Sequence, residues 1–173
     1  AGSIGANAVV DNGTLIFNRS GTVTIPNVIS GSGALANSGP STMTFAGALT
    51  YQGNTYISNG LVQITSANQI PNATNVVGST GWLILDGSAS HAGTLDLAGF
   101  DQTVNALSGL GGTFTGIITN SGTVATATNV LNVLGAAGTT YNGIIADNAT
   151  GSKTMLVLRG ANELRLNGAN TYS

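Results

Sequence analysis

Six carboxylates and one histidine are the groups in this chain best suited to acid–base chemistry: Asp11, Asp86, Asp96, Asp101, Asp147, Glu163 and His91. Two carboxylates flanking a glycosidic bond can share its hydrolysis, one giving a proton and the other attacking or activating water. Asp96 and Asp101 are the pair nearest in sequence. Asp96 lies between Leu95 and Leu97, so strand alternation turns it outward if the leucines face a core. Asp101 falls in the following turn. The expectation is turn and solvent roles for both, not a catalytic dyad. Asp86 precedes Gly87, an ordinary turn pair. His91 has no cysteine and no adjacent carboxylate beside it, which is not a metal-ligand pattern. Serines without a placed base are polar surface rather than nucleophiles. Gly109-Leu110-Gly111-Gly112 lacks the lysine and the helix start that make a phosphate loop. No calcium-binding nonapeptide repeats occur. The expectation is therefore no enzyme activity, no catalytic, cofactor-binding or metal-binding residues, and no cofactor.

The other polar signals point to surface. Lys153, Arg159, Glu163 and Arg165 gather a large share of a small set of charges near one end. They read as a solvated face, or as polar contacts to a stacked neighbour. Trp82 and Ile84 turn outward if Leu83 and Leu85 turn in, which offers either an exposed contact site or a loop-covered indole. The triplets Asn72-Ala73-Thr74 and Asn148-Ala149-Thr150 read as turns, where asparagine tolerates left-handed backbone, rather than as glycosylation sites.

The elements that must carry these residues follow from composition and period. Hydrophobic residues make up 42% of 173 positions, enough to build a core and too many for a disordered chain. Charged residues are only 6%, so Thr, Ser and Asn must solvate the surface. With 26 glycines and 3 prolines, glycine punctuates frequent turns. A net charge of −2 does not supply the basic footprint that nucleic acid needs, and no nucleic-acid partner is expected. No apolar run approaches ~18 residues, so no helical membrane span is expected within the chain. Residues 1–10 lack a charged n-region and a continuous apolar run, so the reading expects a leader already removed or an internal piece. The absence of cysteine leaves the core, not disulfides, to hold the fold.

Period two dominates. In Thr14-Leu15-Ile16-Phe17, Thr42-Met43-Thr44-Phe45 and Thr94-Leu95-Asp96-Leu97 every second residue is large and apolar, the pattern of a strand with one buried face. Asn18, Gly47 and Gly99 close these runs. Residues 35–51 align without gaps to residues 156–172, keeping Gly39/Gly160, Gly47/Gly168 and Tyr51/Tyr172. Gly93-Thr94-Leu95 likewise echoes Gly13-Thr14-Leu15. A strand-and-turn unit that repeats buries its apolar face by stacking copies of itself. The expected fold is an all-β parallel β-solenoid of about six to eight rungs at roughly 20–25 residues each. Met43, Phe45, Leu95, Leu97, Leu164 and Leu166 are expected to face its core.

Gly31-Ser32-Gly33-Ala34-Leu35, residues 42–53, Gly60-Leu61-Val62-Gln63-Ile64, residues 70–77, residues 93–104 and Gly143-Ile144-Ile145-Ala146-Asp147 follow one another in an order that resembles the passenger repeats of bacterial autotransporters, the type V secreted proteins. The resemblance covers most of the chain. It implies a right-handed parallel β-helix, a place outside the cell or on the bacterial surface, and a structural or adhesive passenger role. Residues 82–87 depart from the pattern and look like an extra strand or a bulge. The chain stops at Tyr172-Ser173, where the family pattern continues.

One solenoid segment over 1–173 is expected, part of a longer repeat protein and ending mid-repeat. Its expected function is that of a stalk or binding surface. The alternatives are a filament subunit built by end-to-end stacking and, more weakly, a polysaccharide-active enzyme on the same fold. Its expected partners are a second copy of itself or host and surface ligands.

Overall fold

Short runs of alternating apolar and Thr or Ser residues, each closed after three to six positions, can form only short strands. They become stable when many such strands stack. In the computed structural model, which describes residues 4–87, 91–109, 115–123, 128–135, 138–147, 151–160 and 162–172, they form an all-β parallel solenoid of about six turns, with no helix among the described residues.

The first turn holds β1 (Val9–Val10), β2 (Thr14–Phe17) and β3 (Gly21–Ile25). The second holds β4 (Ile29–Gly31), β5 (Ala34–Asn37) and β6 (Ser41–Phe45), and the third β7 (Leu49–Tyr51), β8 (Thr55–Ile57) and β9 (Leu61–Gln63). The fourth has β10 (Trp82–Leu85) and β11 (Thr94–Asp96). Then come β12 (Gln102–Val104), β13 (Ala106–Ser108) and β14 (Ile117–Thr119), followed by β15 (Thr128–Val133), β16 (Thr139–Tyr141) and β17 (Ile144–Ile145). β18 (Lys153–Leu158) and β19 (Leu164–Leu166) complete the stack.

Every pairing between these strands is parallel, and it produces three faces. The first face is β1-β4-β7 and, further along, β12-β15-β18; the second is β2-β5-β8-β10-β13; the third is β3-β6-β9-β11-β14-β17. The Gly109–Tyr141 bridge leads from the second face to β16 and β19. Val9 pairs with Ile29 and Ile29 with Leu49, a step of 20 residues, as between Thr24 and Thr44. Later steps lengthen to 33 between Gln63 and Asp96, and 25 between Asn142 and Asn167. The expected rung length thus holds for the first turns and between Asn142 and Asn167, and is exceeded between Gln63 and Asp96, where the longest loop enters.

The largest of these loops leaves β9 and returns at β10. Within it, residues 68–70 occupy the place of a first-face strand. Ile70 donates its N–H to Gln102 Oε1 at 3.0 Å, and Gln102 Nε2 donates to Ile70 O at 3.0 Å. The fully buried Gln102 amide therefore supplies the hydrogen bonds that a neighbouring strand would have made. Residues 82–87 are not an extra strand. β10 pairs in register with β8 on one side and β13 on the other, and the insertion is the loop before it.

Met43, Phe45, Leu95 and Leu97 face the core as expected and are buried, with Phe17 and Phe45 meeting edge-on at 6.3 Å. Leu164 and Leu166 pack against the core but stay half-buried, because the last turn is covered on one side only. The alignment of 35–51 with 156–172 does not map turn onto turn. Leu35 lies on β5 of the second face and Leu156 on β18 of the first. The repeat is real as a strand-and-turn phrase, but the phrase recurs on different faces.

Glycine sets one corner. Ile117 N–H bonds Gly93 O and Ile144 N–H bonds Gly116 O, so glycines stack where the chain enters the third face. A Cβ on Gly93 would stand 1.8 Å from Ile57 O, and one on Gly168 1.7 Å from Gly143 O. Backbone approaches backbone there without room for a side chain.

Candidate functional site

The corner after β11 gathers the polar residues that looked most chemical. Asp96 does alternate outward between Leu95 and Leu97, yet it is 2% exposed, which corrects its expected place in solvent. Its register partners on the third face are Gln63 and Thr119. Asp96 Oδ1 accepts from Ala98 N at 2.9 Å and Ser121 N at 2.8 Å. Asp96 Oδ2 accepts from Gln63 Nε2 at 2.7 Å and Ser121 Oγ at 2.5 Å. Four donors from three consecutive turns thus converge on one carboxylate and satisfy it.

Asp101 is not part of this group. It is exposed, and its Oδ1 accepts from Val130 N at 2.8 Å and from Asn129 Nδ2 at 3.5 Å. The two nearest carboxylates therefore serve separate turns and share no donor. Between them sits fully buried Asn120. Its Oδ1 accepts from Gly99 N at 2.8 Å, and its Nδ2 donates to Lys153 O at 2.9 Å and to Asn129 Oδ1 at 3.1 Å. Backbone donors freed by the turn end on side chains, as burial requires.

The other singled-out residues lie apart. Asp86 makes an isolated bridge to Thr115. Asp11 Oδ1 accepts from Gly13 N at 3.0 Å. Asp147 pairs with Lys153 at 3.4 Å and accepts from Thr154 N at 2.7 Å. Glu163 and Arg165 pair at 2.6 Å on open surface. The Arg165 guanidinium holds the Glu163 carboxyl below its usual range. Arg159 Nε donates to Asn132 Oδ1 at 2.9 Å. His91 is exposed. No three of His, Cys, Asp or Glu come together as a metal site among the described residues.

Asn72 Oδ1 accepts from Thr74 N at 2.9 Å and from the Thr74 hydroxyl, so this triplet is an Asx turn. Asn148-Ala149-Thr150 and residues 110–112 of the glycine run lie outside the described residues. Tyr51 and Tyr141 are buried in the core, and burial pushes both phenols well above their ordinary value.

Concave space does not gather Asp96, Asp101 or His91; a hollow of about 240 Å³ beside Thr139 and Thr140 takes in the Glu163–Arg165 pair alone. A mouth of about 710 Å³ opens at the first turn, walled by Ile4, Phe17, Val23 and Ile25 with Arg19 at its edge. It is the end of the core rather than a cleft around carboxylates. What the stack offers instead is flat outer faces. On the second face Leu83 and Leu85 are buried, while Trp82 and Ile84 point outward and are half-buried. On the third face Thr22 and Thr24 stack over Thr42 and Thr44, with the Thr24 and Thr44 hydroxyls 3.1 Å apart.

Sequence reasoning missed the buried amides Asn37, Asn72, Gln102, Asn105 and Asn120. Asn is common in exposed turns, and only the neighbouring turns of the stack cover these. Comparison with protein-family models, with curated proteins and with solved structures finds no match for this chain.

Proposed function

We propose that this chain is a structural and adhesive segment of a bacterial surface or secreted protein, acting through the outer faces of its solenoid rather than through a pocket. The observation that carries this reading is the full use of Asp96: the most enclosed carboxylate is spent on holding three turns together. The strand-and-turn phrases that resemble autotransporter passengers support the same reading and an extracellular location. A stack of parallel turns gives length and flat surface for few charges, which suits a stalk or a contact face.

Adhesion of beads coated with the purified chain to bacterial and host-cell surfaces tests it. Retention above beads coated with an unrelated neutral β protein is expected. Hydrolysis of a polysaccharide by the chain, lost in the D96N/D101N double variant, would replace this reading with the enzymatic one.

A second reading, end-to-end assembly of copies, is favoured by one observation. Leu164 and Leu166 of the last turn lie in the same second-face rows as Leu15 and Phe17 of the first, and outward Thr171 lies in the third-face row of Thr24. A first turn can thus follow a last turn in register, in a head-to-tail contact that does not close. Light scattering over a concentration series is the check. Growth of rods supports assembly, and a constant monomer mass rules it out.

A further inference from the structure

The second face carries a charge-free aromatic platform. Along β2, β5, β8, β10 and β13 the outward positions hold no Asp, Glu, Lys or Arg. Ile84 pairs laterally with Tyr56, and Trp82 lies beside Asn54, the residue just before β8. Trp82 and Tyr56 are therefore diagonal neighbours on adjacent strands, within reach of one ligand. Both are half-buried, so each keeps part of its ring in solvent. The Trp82 indole N–H makes no hydrogen bond to a described residue. The Tyr56 hydroxyl receives a long bond of 3.4 Å from Asn54 Nδ2, and Asn54 Oδ1 accepts from Thr80 Oγ1 at 2.7 Å. Two aromatic surfaces thus stand next to amide and hydroxyl groups held in place by their neighbours.

We propose that this platform binds a neutral glycan chain. A pyranose ring has an apolar C–H side, which stacks on an aromatic ring, and hydroxyls at its edge, which exchange hydrogen bonds with amides, phenols and an indole N–H. The absence of charge gives no attraction for acidic polymers and leaves no charged side chain to be stripped of water beneath a neutral one. Area decides against a protein partner. Five strands about 4.8 Å apart and three residues of about 3.3 Å each span roughly 240 Å². A stable protein interface needs about 800 Å² per partner, whereas a few sugar rings are covered by this area. The proposal rests on the reading that the outer faces carry the function, and it names the class of ligand for one of them.

Trp82 is the only tryptophan in the chain, so its emission reports this platform alone. The experiment titrates the intact chain with neutral gluco-, xylo-, manno- and galacto-oligosaccharides, and with acidic galacturonan. Saturable change in Trp82 emission with at least one neutral glycan, and none with galacturonan, is expected. Trp82→Ala and Tyr56→Ala should each weaken binding of that glycan by about tenfold or more, read by calorimetry. Ser108→Glu, at the platform edge and away from the core, should weaken it similarly while leaving the far-ultraviolet dichroism unchanged, which separates lost binding from lost folding. No emission change with any neutral glycan up to about 10 mM overturns the proposal, as does glycan binding that survives all three variants. Bead adhesion that persists in Trp82→Ala would sink the platform while leaving the outer-face reading standing.

Discussion

Asp96 shows how a residue in a solenoid takes its role from the turns beside it. Its outward direction follows from Leu95 and Leu97, but its burial comes from Gln63 one turn before and Ser121 one turn after. Replacing it by Asn keeps the shape and turns one acceptor into a donor facing Gln63 Nε2 and Ser121 Oγ. Chemical denaturation should show Asp96→Asn about 1–3 kcal/mol less stable. Asp101→Asn, at an exposed position, should stay within about 0.5 kcal/mol of the parent. The buried tyrosines give a pH signature. Their phenols titrate near 10 when unfolded and higher when folded, so the unfolded state loses protons first as pH rises. Stability contributed by this difference is complete below about pH 10 and declines above it. Denaturation midpoints from pH 7 to 11.5 should be flat and then fall, and Tyr51→Phe should soften the fall. A midpoint that rises above pH 10 would contradict the burial of these rings.

Strands were the legible elements. Alternation in Thr42-Met43-Thr44-Phe45 marks both the strand and its buried side, because a period of two has one interpretation when Gly and Asn close the run. Residues 82–85 were equally clear as a strand, yet their place in the stack was not, since a long loop shifts the count between β9 and β10. The face occupied by residues 156–172 was hidden for the same reason: identical phrases fit any of three faces. Among the site residues, the scatter of Asp11, Asp86, Asp147 and Glu163 was legible, and the burial of Asp96, Asn120 and Gln102 was not. Those burials depend on residues 21 to 33 positions away. Position along the stack also sets the energetic weight of like residues. Leu95, enclosed by turns on both sides, should cost about 2–5 kcal/mol when cut to Ala. Leu166, half-buried in the last turn, should cost distinctly less. Equal losses in paired unfolding curves would mean that the last turn is covered as fully as the middle.

At the scale of the whole molecule, a stack in which each turn touches only its neighbours has one dimension that matters, and distance along it counts turns rather than residues. Thr22, Thr42, Leu61, Thr94, Ile117 and Ile144 form one outward column on the third face. The residue intervals between them are uneven, but the strands beneath them are equally spaced at about 4.8 Å. The chain has no cysteine, so pairs of spin labels can be placed at these positions without removing any native thiol. Pulsed electron–electron distance measurement on Thr22→Cys paired in turn with Thr94→Cys, Ile117→Cys and Ile144→Cys is the most direct test of the parallel stack. Backbone separations of about 14, 19 and 24 Å are expected, rising by one strand spacing at each step. Distances that fail to rise in equal steps, or that shrink for the pair farthest apart in sequence, would contradict it.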